Sequence, residues 1–149
     1  MTNNDVLRSI RYILNVNETK LIEIIALADF QVGKDDMSSF LKQEEEEGYK
    51  NCGDKVLAHF LNGLIIYKRG KDENRLPLPI EISMTNNIIL KKVRVAFELK
   101  DTDIISLIEK SGLKVSKTEL SAFFRNQDHR NYRECGNQFL RNLLRAMAS

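Results

Sequence analysis

Two cysteines and two histidines are the side chains of this 149-residue chain best suited to covalent or metal chemistry. Cys52 and Cys135 each stand beside a glycine, just ahead of an apolar stretch with helical spacing. At the start of a helix the free amides and the dipole lower a thiol pKa, and a thiolate there would be a nucleophile or a redox group. The competing reading is a small apolar side chain that seals the helix start, since unpaired cysteine is among the most buried residue types. His59 flanks an apolar helical stripe, and His129 lies between Asp128 and Arg130. Neither histidine has metal-ligand spacing to a cysteine, and no C-x-x-C pair is present. Without a phosphate loop, a metal motif or a nucleophile set beside a base, the residues predict no cofactor and no catalytic activity.

Cations are the other chemically suggestive set. Arg8 and Arg11 share a helix face at i, i+3, and Lys91 and Arg94, with Lys92 beside them, repeat the pattern later in the chain. Paired basic side chains hold phosphate or carboxylate groups, so these residues are candidate contacts for an anionic partner. Lys117, Arg125, Arg130 and Arg133 extend the candidate surface. The whole chain carries 23 Lys+Arg against 21 Asp+Glu, too balanced for a dedicated nucleic-acid binder, and its 42% hydrophobic content excludes a disordered chain. The balance hides an asymmetry: residues 1–83 hold 11 basic and 14 acidic residues, net −3, whereas residues 84–149 hold 12 and 7, net +5.

The elements that must position these residues come from an internal duplication. Met1-Thr2-Asn3-Asn4 recurs as Met84-Thr85-Asn86-Asn87, and at that offset of 83 residues 1–65 align on 84–148 without a gap and with 18 identities. Background composition would give roughly four. Identical pairs include Arg11 and Arg94, Phe40 and Phe123, Tyr49 and Tyr132, Cys52 and Cys135, and Gly53 and Gly136. Each copy reads as four helices, with apolar residues at i, i+3, i+4 and i+7. Asn3 or Asn4, and Asn86 or Asn87, are the expected N-caps of the first helices. Ser116 and Glu119 have the spacing of a capping box. Glu44-Glu45-Glu46-Glu47 is expected near the end of the third helix, and its counterpart in the second copy is Gln127-Asp128-His129-Arg130.

The predicted architecture is all-α: two tandem copies of a roughly four-helix unit, packed with pseudo-twofold symmetry. Copy one (acidic) spans 1–70, a proline-containing linker spans 71–83, and copy two (basic) spans 84–149. Signal-peptide features and an apolar run of the roughly 18 residues needed to span a bilayer are both missing, and with only two cysteines a cytoplasmic setting is expected.

The stretches Gly48-Tyr49-Lys50-Asn51-Cys52-Gly53-Asp54, Phe60-Leu61-Asn62-Gly63-Leu64-Ile65 and Lys68-Arg69-Gly70-Lys71 resemble the YehS-like bacterial proteins. The match continues through Asn86-Asn87-Ile88-Ile89-Leu90-Lys91-Lys92, Phe124, Asp128-His129 and Arg133-Glu134-Cys135-Gly136-Asn137-Gln138-Phe139-Leu140-Arg141. That family carries a tandem domain of unknown function. The resemblance implies a duplicated helical protein of the bacterial cytoplasm and assigns no activity to any residue.

The function expected from the residues is therefore non-catalytic binding of a protein or anionic partner, with a homo-oligomer as one expected state because the acid run of one copy complements the basic counterpart of the other. An enzyme of unknown class ranks last, and the leading alternative is nucleic-acid binding by the basic second copy. There Asp103–Leu120 has a helix, glycine turn and helix in the outline of a helix-turn-helix, offering Lys117, Ser121 and Arg125 for contact.

Overall fold

The computed structural model describes residues 1–71, 78–81 and 83–149. Eight helices are present among them: α1 (Asn3–Leu14), α2 (Glu18–Ala26), α3 (Lys34–Phe40), α4 (Asp54–Arg69), α5 (Asn86–Ala96), α6 (Asp101–Lys110), α7 (Lys117–Phe123) and α8 (Asn137–Met147). The all-α prediction and the four-helix repeat are thus observed, and the duplication is visible in the chain's division into Met1–Met84 and Thr85–Ser149.

The helix starts follow from local chemistry. Thr2, not an asparagine, caps α1: its hydroxyl accepts from the Asp5 N–H while the Asp5 carboxylate accepts from the Thr2 N–H, a reciprocal box. Thr85 caps α5 in the same way by accepting from Ile88 N–H. The expected asparagine caps are therefore corrected, because the threonine one residue earlier takes that role and frees Asn3, Asn4, Asn86 and Asn87 for others. The Ser116–Glu119 box at α7 forms as predicted. Asp29 and Gly112, equivalent in the two copies, both close their second helices in the left-handed region, at φ 60° and 92°. The backbone thus keeps one conformation where the sequence lacks the glycine that normally favours it.

In the first unit α2 packs on α3 and α4, and α1 on α4; in the second, α6 packs on α7 and α8, and α5 on α8. The equivalent cores consist of Leu7, Ile10, Leu21, Ile25, Met37, Phe40, Leu57 and Leu61 in the first, and of Leu90, Val93, Ile104, Ile108, Leu120, Phe123, Leu140 and Leu144 in the second. The two fourth helices differ. α4 buries every residue from Leu57 to Ile65, whereas α8 buries only Leu140, Leu143 and Leu144. Gly63 marks the closest approach of α2 and α4, since a Cβ there would lie 2.0 Å from the Ile24 carbonyl oxygen.

Most of the predicted linker, residues 72–77 and 82, lies outside the described residues. The stretch leading to Met84 belongs to the first unit. There Asn62 Nδ2 donates to the Pro79 carbonyl at 3.1 Å, and Met84 N–H donates to Asp54 Oδ2 at 3.2 Å. The chain is drawn back to α4 because both helix side chains offer it hydrogen bonds.

Gly63→Ala should destabilise the first unit by about 1–3 kcal/mol, because the clash is with backbone that only a shift of α2 relieves. Urea unfolding of the variant against the parent chain measures this, and an unchanged midpoint would contradict so close an approach.

Candidate functional site

The connection between the third and fourth helices of each copy is pinned by one buried side chain. Asn4, fully buried in α1, donates through Nδ2 to the carbonyls of Phe40 (2.9 Å) and Lys50 (2.8 Å), while its Oδ1 accepts from Cys52 N–H (2.9 Å). Asn87 repeats this in α5, with Phe123 O at 3.0 Å, Arg133 O at 2.8 Å and Cys135 N–H at 2.9 Å. An asparagine amide has two donors and an acceptor at fixed angles, so one side chain satisfies three backbone groups at the two ends of a loop. The preceding asparagines complete the clamp. Asn3 Nδ2 donates to Cys52 O and Asp54 Oδ1, and Asn86 Nδ2 to Cys135 O and Asn137 Oδ1. A backbone bond closes each loop neck, Lys50 N–H to Ser39 O in one copy and Arg133 N–H to Ala122 O in the other.

The loops held this way carry the charge difference between the copies. Glu44, Glu45, Glu46 and Glu47 are exposed in the first, in the loop beyond the end of α3 at Phe40. The chain leaves the helix there because Asn4 takes the Phe40 carbonyl and draws the backbone toward α4. Arg125, Asp128, His129 and Arg130 are exposed in the second. Within it His129 Nδ1 accepts from Asn131 N–H, and Arg125 Nη1 lies 3.4 Å from His129 Nε2. Equivalent ion pairs flank the two loops: Lys50 with Asp36 at 2.9 Å, and Arg133 with Glu119 at 3.6 Å.

The predicted cation pairs do not come together as an anion site. Arg8 is bound to Asp5 and donates to Lys42 O at 2.8 Å. Arg11 donates to Val16 O at 3.2 Å, and Arg94 pairs with Asp101 at 2.8 Å while lying over the Phe124 ring. Arg8 and Arg11 are spent on loop carbonyls and Arg94 on a carboxylate and a ring, so the recurring spacing does not make a free cation pair. Lys92 is buried. Lys91 is exposed, and it sits one helical turn beyond Asn87, on the loop side of α5 as Arg8 is on α1. Lys117, Arg125, Arg130 and Arg133 are exposed as well.

The thiols depart from the reactive reading. Cys52 and Cys135 are both free and buried. Burial, with the Asp54 carboxylate adding to it for Cys52, pushes each thiol up to about 12 rather than down. Both S–H groups face the carbonyl of the following glycine, at 3.7 Å. His59 is engaged too: Nδ1–H donates to Lys55 O at 2.7 Å, and the ring stacks on Phe30. Among the described residues no group of three His, Cys, Asp or Glu side chains is placed to hold a metal ion, and no helix is long and apolar enough to cross a membrane.

The helix-turn-helix outline also changes. α7 ends at Phe123 after two turns, its inner face is spent on Leu120 and Phe123, and Arg125 lies beyond it in the pinned loop. A helix this short, preceded by the connection Ser111–Ser116, does not present Lys117, Ser121 and Arg125 on one helical face.

The two clamped units coincide with the segments matched by a family described as a protein of unknown function (DUF1456), residues 3–70 and 86–148. The chain belongs to the DUF1456 family. It is 47% identical over its full 149 residues to an uncharacterized protein, YehS, of Escherichia coli strain K12, across 96% of that protein's length. No solved structure matches the chain. In DUF1456 terms, each family segment opens on the asparagine pair that forms the clamp. The repeated Met-Thr-Asn-Asn tetrapeptide was the signal for it: threonine for the cap, two asparagines for the loop.

Asn4→Asp or Asn87→Asp should each cost about 2–4 kcal/mol, since a carboxylate has no donor for the two carbonyls it would face. Chemical denaturation checks this. The buried thiols make a second prediction. An unfolded thiol loses its proton near the ordinary value of 9.0, while the folded thiols keep theirs to about 12. Their contribution is therefore complete below pH 9 and is lost as pH rises from 9 toward 12, by at most about 1.4 kcal/mol per thiol per pH unit. The Cys52→Ala/Cys135→Ala variant should show a shallower loss of stability between about pH 8 and pH 10.5 than the parent. In the native parent, aromatic disulfide reagents should label neither thiol.

Proposed function

We propose that this chain is a non-catalytic cytoplasmic binding protein whose second copy engages an anionic partner through Lys91, Lys117, Arg125, Arg130 and Arg133. The observation that carries the reading is the divergence of the two pinned loops. The same clamp holds an acidic run in the first copy and a mixed, arginine-bearing run in the second, so the charge is not dictated by the fold. Residues fixed by structure repeat between copies, as the asparagines and cysteines do; a surface whose run goes from four acids to no net charge on a constant scaffold, with Arg130 in place of Glu47, is free to serve recognition. Protonated buried thiols and a histidine spent on a backbone carbonyl favour binding over catalysis. Two unpaired cysteines favour a reducing compartment.

Retention on immobilised heparin, polyglutamate and duplex DNA, each at about 50 mM and about 200 mM salt, tests the reading. The chain should be retained on at least one polyanion at low salt. Lys117→Glu/Arg125→Glu/Arg130→Glu should weaken that retention several-fold, and replacing Glu44–Glu47 with glutamine should leave it intact. Absence of retention on all three at low salt would overturn the proposal. Retention confined to DNA would move the function to the nucleic-acid alternative.

A further inference from the structure

One stripe of the fourth helix is largely buried in the first copy and exposed in the second. On α4, Asp54, Ala58 and Asn62 follow one another at four-residue intervals and so form one stripe along the helix. Ala58 and Asn62 on that stripe are 1% and 3% exposed, and among the described residues of the returning chain Met84 is bonded to Asp54 and Pro79 to Asn62. The later residue bonds to the earlier helix position, so the returning chain meets α4 in antiparallel order. At Pro79 and Met84 the helix therefore holds non-helical chain by side-chain hydrogen bonds along one stripe.

The same stripe on α8 is Asn137, Arg141 and Arg145, and all three are exposed. α8 contains no acidic residue, and among the described residues neither guanidinium has a protein partner. The chemistry of the stripe is inverted as well as uncovered. Asp54 accepts from Asn3 with one oxygen and from Met84 with the other. Asn137 spends its oxygen on Asn86 and leaves an amide NH₂. Every group the α8 stripe offers is thus a donor, whereas α4 offers the Asp54 carboxylate as an acceptor beside the Asn62 amide. The spacing is also specific: side chains four apart on a helix lie about 5–6 Å apart, close to the roughly 6.6–6.8 Å between alternate side chains on one face of an extended chain.

We propose that the outer stripe of α8 binds an extended acidic segment of a protein partner, with carboxylates at alternate positions on Arg141 and Arg145 and an acceptor of the same segment on the Asn137 amide. The occupant follows from the molecule's own precedent on α4, and its acidity from the donors that replace that site's groups. The proposal rests on the reading that the second copy is the anion-binding side, and it places the peptide contact outside the pinned loop.

Fluorescence anisotropy at low salt, using the full chain and two labelled peptides of equal composition, tests it. One peptide alternates glutamate with alanine; the other groups the glutamates at one end. The alternating peptide should bind more tightly; Arg141→Glu/Arg145→Glu should weaken it about tenfold or more and remove its advantage over the grouped peptide, whereas Lys117→Glu/Arg125→Glu/Arg130→Glu should weaken both peptides alike and leave that advantage in place. Both arginines are exposed, so far-UV circular dichroism should be unchanged; if the charge reversal nevertheless unfolds the chain, Arg141→Gln/Arg145→Gln replaces it, with a several-fold loss expected. Peptide binding that ignores the α8 variant but is lost in the loop variant overturns the α8 stripe and leaves the proposed function standing. Retention on heparin without binding of either peptide, or displacement of the alternating peptide by a single-stranded oligonucleotide at a lower concentration than by unlabelled peptide, overturns the peptide occupant. No binding to any polyanion removes both readings.

Discussion

One buried amide in each copy determines how the chain passes from its third helix to its fourth. Asn4 and Asn87 lie at the first turn of α1 and α5, where their side chains meet two carbonyls and one N–H from residues about 36 to 48 positions away. Those backbone groups sit at a buried junction where water would otherwise have to satisfy them. A leucine of similar size would satisfy none, and aspartate would satisfy only the N–H. The loop ends, the cysteine that seals the fourth helix and the first turn of the first helix are therefore set by a single residue type.

Because the clamp acts on backbone, it places no demand on the side chains of the loop between its ends. Four glutamates in one copy and Gln127-Asp128-His129-Arg130 in the other are carried by the same scaffold. The same freedom shows on the fourth helices, where the inner leucines are retained while Arg141 and Arg145 stand at the positions equivalent to Ala58 and Asn62. Duplication followed by apolar exchange in the core and freer divergence at the surface gives two units of one fold with different charge, net −3 and net +5 over residues 1–83 and 84–149.

The helical class, the repeat and most of the core were legible because each rests on local or periodic signals: apolar spacing of 3.6 residues, a recurring tetrapeptide and a capping box. The roles of the polar residues were less legible. Arg8, Arg11 and Arg94 looked like surface cations because i, i+3 spacing does not show which carbonyls or carboxylates lie within reach: those partners are Lys42 in a distant loop, Val16 in the turn after the helix and Asp101 in the next helix. Asn4 and Asn87 looked like caps for the same reason. The cysteines were placed correctly at helix starts, yet the dipole that should activate them is outweighed by desolvation once the clamp buries the thiols.

Sequence alone determined that this protein is a tandem duplication of a four-helix unit with an acidic and a basic half, because periodicity, identity and charge are properties of the chain read along its length. Tertiary structure decided which polar residues are structural and which are free. Hydrogen-bond satisfaction depends on groups that only folding brings together, and it assigns Arg8, Arg11, Arg94, Asn4 and Asn87 to the scaffold while leaving Arg125, Arg130, Arg141 and Arg145 at the surface. The distinction between an arginine that holds a loop and one that awaits a partner lies in that three-dimensional accounting.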